Sequence, residues 1–299
     1  MSRRIKVAWQ SFRRESSKGE MYALRWFASR FYYRNIRPVF QRSPAGDLSG
    51  AARPLSVILP AVEKDAGPLV QCLTAANQMI RHPLKAKLVV GPESSRLRSI
   101  AAEAGWEFVC EDEFLPRPAA ELKCRGWVLQ QFIKLNASAF VTTPDYLVVD
   151  ADTIFLRPQS FFRGGKSVLR YADQYELLYN RSLELVFGHP RRFPVSFVTH
   201  HMLFNAAMVK ELLQLIEQRF SCPWWEAILK KVDKGHPISF SEYELYGHFV
   251  LSQPGWKKRF CLEYWQGLDR SMEDLAELDA VRRTAAGRLN TVSFHRHTQ

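Results

Sequence analysis

The stretch Tyr146-Leu147-Val148-Val149-Asp150-Ala151-Asp152-Thr153 decides the reading of this chain. Its first four residues are apolar or aromatic, two of them valine, which predicts a strand buried on both faces. The run then stops abruptly at two carboxylates one residue apart. Strand side chains repeat every two residues, so Asp150 and Asp152 are expected to point the same way where the strand opens into a loop. Two ionised carboxylates held close repel each other unless a cation sits between them, and hard divalent ions prefer oxygen ligands. Open α/β sheets bind ligands outside the carboxyl ends of their strands, where this pair falls. The expectation is a Mg²⁺ or Mn²⁺ site that grips a diphosphate; the plainer alternative is a solvated turn.

Working back from the acidic strand, Leu55 to Pro60 (LSVILP) reads as a buried strand and Pro68 to Ile80 as a helix packed on a sheet. Ala86 to Gly91 and Trp106 to Cys110 read as further strands, with a helix capped at Ser94 or Ser95 between them. Gly126 to Phe140 is a further helical element leading into the acidic strand. This alternation predicts an α/β fold, a mostly parallel sheet with helices on both faces. Working forward, the chain reads as irregular to about Arg192, then as a sheet segment at Phe197 to Asn205. Helices are expected at Ala206 to Phe220, Trp224 to Val232 and Glu242 to Leu251, and a terminal strand at Val292 to His297.

The 299 residues suffice for one large α/β domain. Five scattered cysteines without CxxC spacing argue for reduced thiols in a cytosolic setting rather than zinc or disulfides. Neither a signal peptide nor a transmembrane helix is expected, because the best apolar run, Tyr22 to Tyr33, is broken by Arg25 and Arg30. The net charge of +12 is concentrated in residues 1 to 54, where twelve Lys and Arg face three acids. Trp9, Phe12, Trp26, Phe27, Phe31, Tyr32 and Tyr33 are interleaved with those charges. A basic aromatic arm of this kind suits an anionic membrane surface, on the cytoplasmic side, better than nucleic acid. Its alternative is a helix that packs its aromatics on the domain. Gln41 to Pro54 reads as a linker to a domain spanning 55 to 299.

Other side chains are candidates for chemistry. His295, with His297 two residues on, is a candidate third ligand for an ion held by two aspartates. Ser241 and Glu244 match a helix capping box, which leaves Glu242 to project into a cleft as a proton acceptor. His200 and His201 are adjacent and point apart, so at most one is expected to reach a site; Asn205 and Asp173 are further polar candidates. Lys134 and Arg125 are expected to meet phosphate or ribose, with a solvated lysine as the ordinary alternative for the former.

SVILP (56 to 60), WVLQQFIKL (127 to 135), LVVDADT (147 to 153), HHMLFN (200 to 205) and SEYELYG (241 to 247) occur in an order that resembles the GT-A class of nucleotide-sugar glycosyltransferases. The likeness is greatest to bacterial members of unassigned specificity, many found near polysaccharide genes. It implies a Rossmann-like nucleotide-binding half at 55 to 153, entered near Pro60 and Val62, and an acceptor half at 154 to 299. It further implies Asp150 towards ribose or metal, Ala151 beside the nucleotide sugar, and Asp152 on the metal. His200, His201 and Glu244 fall on the acceptor side. The expected donor is a UDP or GDP sugar and the expected acceptor a glycan or glycolipid. The His-x-x-Gly-x-x-Lys tail of better-known relatives is replaced here by His295-Arg296-His297-Thr298. Whether the anomeric centre inverts or is retained stays open. A HAD-like phosphatase, whose nucleophile strand also ends in Asp-x-Asp, is the rival enzyme, and an inactive scaffold of GT-A shape the non-enzymatic rival.

Overall fold

The computed structural model of the chain describes residues 20–36, 51–172, 177–188, 193–232, 240–285 and 288–295. Trp9, Phe12, Asp173 and His297 lie outside the described residues. The arm contributes one helix, α1 (Glu20–Phe31), followed by a single wide turn, Tyr32–Ile36. Tyr33 meets Tyr171 and Phe193 edge to face, and the Tyr171 hydroxyl donates to the Tyr33 carbonyl at 3.1 Å. Tyr33, in the turn after the helix, is therefore packed on the domain, while Leu24, Phe27 and Phe31 on the helix are exposed.

Four strands, β1 (Leu55–Pro60), β2 (Leu84–Gly91), β3 (Glu107–Cys110) and β4 (Asp145–Val149), run parallel in the spatial order β3-β2-β1-β4. A fifth, β8 in chain order (His201–Asn205), closes the edge antiparallel to β4. The result is a mixed α/β fold on a mostly parallel sheet. Alternation along the two central strands explains its thickness. Val57, Leu59, Leu147 and Val149 feed one apolar layer, and Ile58, Tyr146 and Val148 feed the other. Each of these side chains is fully buried, a burial that stabilises by about 1.5–3 kcal/mol for a large aliphatic group. Helices α2 (Ala66–Met79) and α3 (Ser95–Glu103) cover the first face through Leu69, Leu73 and Leu97. Helices α4 (Gly126–Asn136), α6 (Ala206–Phe220), α7 (Trp224–Lys231) and α8 (Glu242–Ser252) cover the second through Phe132, Leu212, Ile228 and Leu245.

The expected irregular region after Asp152 is instead ordered in part. It holds β5 (Thr153–Phe155), β6 (Phe162–Arg163), β7 (Lys166–Tyr171) and α5 (Leu177–Phe187). Strands of three and two residues fall below the window in which periodicity is visible. Two later strands, β9 (Phe260–Tyr264) and β10 (Gly267–Ser271), were also absent from the sequence reading, as was α9 (Leu278–Ala285). β10 is half-buried to exposed and carries no alternating apolar pattern. The terminal strand β11 (Thr291–His295) lies parallel to β10 and antiparallel to β5, forming a second small sheet. The third sheet joins β6, β7 and β9. Among the described residues, no helix is long and apolar enough to cross a membrane.

Candidate functional site

β1 pairs in parallel with β2 on one side and β4 on the other, so the chain leaves their carboxyl ends in opposite directions and opens a crevice between them. Pro60 ends β1, and Asp150 directly follows β4. An open cleft of about 200 Å³ lies there, lined by Pro60, Asp150, Ala151 and Asp152, with Lys134, Glu242, Tyr243, His200 and His295 among its other walls. Nothing in β4 is exposed, so its apolar side chains are used up in the two layers and the first polar residues emerge at the crevice.

One half of the site is sealed. Lys134, from the sheet-facing side of α4, sets its ammonium 2.6 Å from Asp150 Oδ1 and 2.9 Å from Glu242 Oε1, with both Lys134 and Glu242 at 5 % side-chain exposure or less. The Tyr243 hydroxyl donates to the same Asp150 oxygen at 2.9 Å, and the ammonium sits 4.5 Å from the Tyr243 ring centre. Burial pushes the Asp150 carboxyl up, but Lys134 and His200 outweigh it and hold the group well below the usual carboxylate range. Burial opposes the charge on Lys134 too, and its two carboxylate neighbours override that and raise its pKa. Burial pushes the Glu242 carboxyl up, against the pull of Lys134. α8 is held in place by its N-cap, Ser241, whose hydroxyl accepts from Glu244 N at 3.3 Å. Gly247 in the same helix lets the chain approach Phe197, since a Cβ there would lie 2.3 Å from that ring.

The other half is open. β5 pairs with β11 in the register Thr153↔Ser293, and Phe294 N donates to the Asp152 carbonyl at 3.0 Å. That pairing brings His295 to Asp152, with Nδ1 at 2.8 Å from Oδ2. β10 adds Asp269, whose Oδ1 lies 3.5 Å from His295 Nε2 and 3.2 Å from His200 Nε2. His200 Nδ1 in turn faces Asp150 Oδ2 at 3.5 Å, and the two imidazole centres are 4.7 Å apart. The backbone of His200 is left-handed, φ +61°, a conformation uncommon for residues with a Cβ, and its carbonyl accepts from Asp150 N at 2.9 Å. Burial disfavours charge on both imidazoles. Contacts with Asp150 and Asp269 nevertheless raise His200 to about 9, and contacts with Asp152 and Asp269 raise His295 to about 10.

Several expectations are corrected here. His201 lies on the opposite face of β8, fully buried, with Nε2 2.8 Å from Arg170 Nη1 and its ring against Phe155 and Phe161. It does not reach the cleft: β8 begins at His201 and turns its ring towards Arg170, whereas His200 precedes the strand in its left-handed conformation. Glu244 is buried beside His248, 3.3 Å away, and is not part of the cleft wall. Glu242 borders the cleft, but as the counter-ion of Lys134 rather than as a freely projecting carboxylate. Lys134 likewise is taken up by two carboxylates. Arg125 is exposed at the start of α4 and does not line the cleft, nor does Val62, whose N–H donates to Asp65 Oδ2 at 3.2 Å. Asn205 caps α6, accepting from Met208 N at 3.2 Å, and donates to Asp145. Sequence reasoning missed Lys64, Trp127 and Tyr179 in the cleft wall and Asp269 at its edge. Trp127 and Tyr243 stand inside stretches that the family likeness had singled out, whereas nothing in the local pattern around Asp269 marks it.

No protein among curated sequences matches the chain. Residues 57–285 match the model of a family of unknown function, DUF6492. Since that match spans most of the chain, from β1 through the carboxylate pair to the end of α9, the protein belongs to this family.

Proposed function

We propose that the protein is a glycosyltransferase of GT-A architecture that moves a sugar from a nucleoside-diphosphate sugar to a hydroxyl of a saccharide or lipid-linked glycan. The observation that carries this reading is the acidic pair at the switch-point crevice with His295 2.8 Å from Asp152. A divalent ion of the Mn²⁺ or Mg²⁺ kind supplies, when bound, Lewis-acid neutralisation of charge growing on a departing diphosphate. The cluster of Asp150, Asp152, His200, Asp269 and His295 would hold it. Its donor set fits, since it combines three carboxylates with two imidazoles, and His200 Nε2 is buried without a hydrogen bond.

The chain's own residues supply orientation. Lys134 and Tyr243 fix the Asp150 carboxylate, and Lys64 stands at the mouth where a phosphate or ribose enters past Pro60. Pockets that enclose whole ligands run to ~300–1,000 Å³, so a cleft of about 200 Å³ would take only part of a nucleotide sugar. Glu242 serves as proton acceptor for an incoming hydroxyl only if Lys134 releases it, and a retaining reaction needs no such base. The exposed Leu24, Phe27 and Phe31 of α1, at helical spacing beside the basic arm, suit docking to an anionic membrane surface.

The test is a thermal-shift panel of nucleoside diphosphates and sugar nucleotides with Mn²⁺, because a ligand selective for the folded state raises its apparent stability. A shift with a UDP or GDP sugar, and Mn²⁺-dependent hydrolysis of that sugar lost in Asp152→Ala, is the expected result. Phosphate release from p-nitrophenyl phosphate without any nucleotide response would overturn it in favour of a HAD-like phosphatase. For the arm, deleting residues 1 to 54 is expected to abolish sedimentation with anionic vesicles while nucleotide binding persists; a truncated protein that still sediments would refute the assignment.

A further inference from the structure

We propose that Lys257, Lys258 and Arg259, with Arg53 and Lys166 beside them, form a second contact for an anionic lipid surface, separate from the arm. The inference does not depend on the transferase reading and shares only its lipid partner with the docking assigned to α1. Lys257, Lys258 and Arg259 follow one another in a one-turn helix, Trp256–Arg259, and all three are exposed. Trp256 is half-buried, and the Lys257 ammonium lies 5.9 Å from its ring centre. The helix sits against β7 and β9. Phe260 pairs with Ser167 in the parallel register of those strands, so Arg259 and Lys166, each one residue earlier, come to the same edge. Arg53, exposed just ahead of β1, donates to the Gly165 carbonyl at 3.1 Å and stacks 4.6 Å from the Phe162 ring centre. Arg259 Nη2 lies 3.4 Å from Asn205 Oδ1, and Asn205 donates to Asp145. Burial raises the Asp145 carboxyl, while Asn205, Arg53 and Arg259 act to lower it, which ties both guanidinium groups to one place.

This edge carries the amino ends of β1 and β4, whereas the cleft opens at their carboxyl ends, so the patch is no part of the site described above. Three segments remote in sequence bring cations to it, and a tryptophan stands among them. Tryptophan beside lysine and arginine is the pattern of a membrane–water boundary, and anionic headgroups attract each such cation. The position favours lipid over another polyanion. β7 runs from Lys166 at this edge to Tyr171, which holds Tyr33 of the arm. Five steps along a strand cover about 17 Å at ~3.3 Å per residue, so one lipid surface can meet both the arm and the patch. Stable attachment to a bilayer takes two signals. The aromatic arm is one of them and this cationic edge the other.

The experiment titrates the full chain with sedimenting vesicles of phosphatidylcholine alone or of phosphatidylcholine with phosphatidylserine. The parent should bind only the second kind. Combining Lys257→Gln, Lys258→Gln and Arg259→Gln should weaken that binding by about 100-fold at low salt. Lys257→Gln with Lys258→Gln, which keeps Arg259 on Asn205, should give an intermediate loss. A charge-matched control, Arg96→Gln with Arg117→Gln and Arg283→Gln, removes three exposed cations elsewhere and should bind close to the parent. Added salt should weaken the parent more than the patch variant, because the variant has fewer charges to screen. If the patch variants bind phosphatidylserine vesicles as the parent does, or the control loses as much, the patch is not the contact. If the parent ignores both vesicles yet binds single-stranded DNA through these lysines, the lipid assignment is overturned in favour of nucleic acid. If deleting residues 1 to 54 leaves binding in place while the patch variant loses it, the patch is supported and the arm is not the anchor.

Discussion

Asp150 and Asp152 sit two residues apart at the end of one strand, yet the halves of the site they belong to are built on opposite terms. Around Asp150, Lys134, Glu242 and Tyr243 are all buried, and the two carboxylates share the one ammonium. Around Asp152, His295 and Asp269 are partly exposed and held by contacts that an incoming cation can replace. The lesson is that a repeated acid need not mean a repeated role: Asp150 is tied to the buried Lys134 and Tyr243, which hold the crevice together, while Asp152 is tied to the partly exposed His295.

Lys134→Met breaks this contrast most severely. It leaves Glu242, 1 % exposed, and Asp150 without their cation, and removing one partner of a buried pair typically costs about 3–5 kcal/mol. Urea unfolding should show that loss, and adding Glu242→Gln should recover part of it. Tyr243→Phe removes only the 2.9 Å hydrogen bond to Asp150, and a bond to a charged group is worth about 1.5–3 kcal/mol. Asp152→Asn should cost about 1 kcal/mol or less in the metal-free protein, since its pair with His295 is partly solvated, while removing the Mn²⁺ response. If Asp152→Asn destabilises the fold as much as Lys134→Met, the contrast is wrong.

The two halves should also fail at opposite ends of the pH scale. His200 and His295 keep their protons to about 9 and 10 in the folded protein, against 6.5 in an unfolded chain. Their contribution is therefore fully present below about pH 6.5 and lost as pH rises through 9 to 10. Asp150 is shifted the other way, so its contribution is present above the ordinary carboxylate range and disappears only as pH falls well below it. Unfolding free energy against pH, without metal, should show both limbs; His200→Asn should flatten the alkaline one and also weaken the acid one, because His200 helps hold the Asp150 carboxyl down.

Much of the scaffold was legible because its signals are local. β1 and β4 stand out as apolar runs, α6 and α8 as bounded helices, and Ser94 and Ser241 as caps, each set by residues within one or two turns of each other. Glu242 is instructive as a partial failure. Its place at the start of a helix was readable, but the ammonium that claims it arrives from a helix more than 100 residues earlier. His201 shows the same limit, since nothing in a His-His pair says which ring faces the crevice and which faces Arg170.

The amino-acid order alone determined a mostly parallel α/β sheet, the carboxylate pair at the end of its fourth strand, and a basic arm ahead of it. Those depend on short-range pattern, where burial and backbone preference act on neighbouring residues. Only the tertiary structure decided that Asp150 is claimed by Lys134 and Tyr243 and Asp152 by His295, and that His200, Asp269 and His295 converge. That convergence draws on the pairing of β11 with β10 and with β5, the latter more than a hundred residues earlier in the chain, and cross-strand contact leaves no mark in the local sequence.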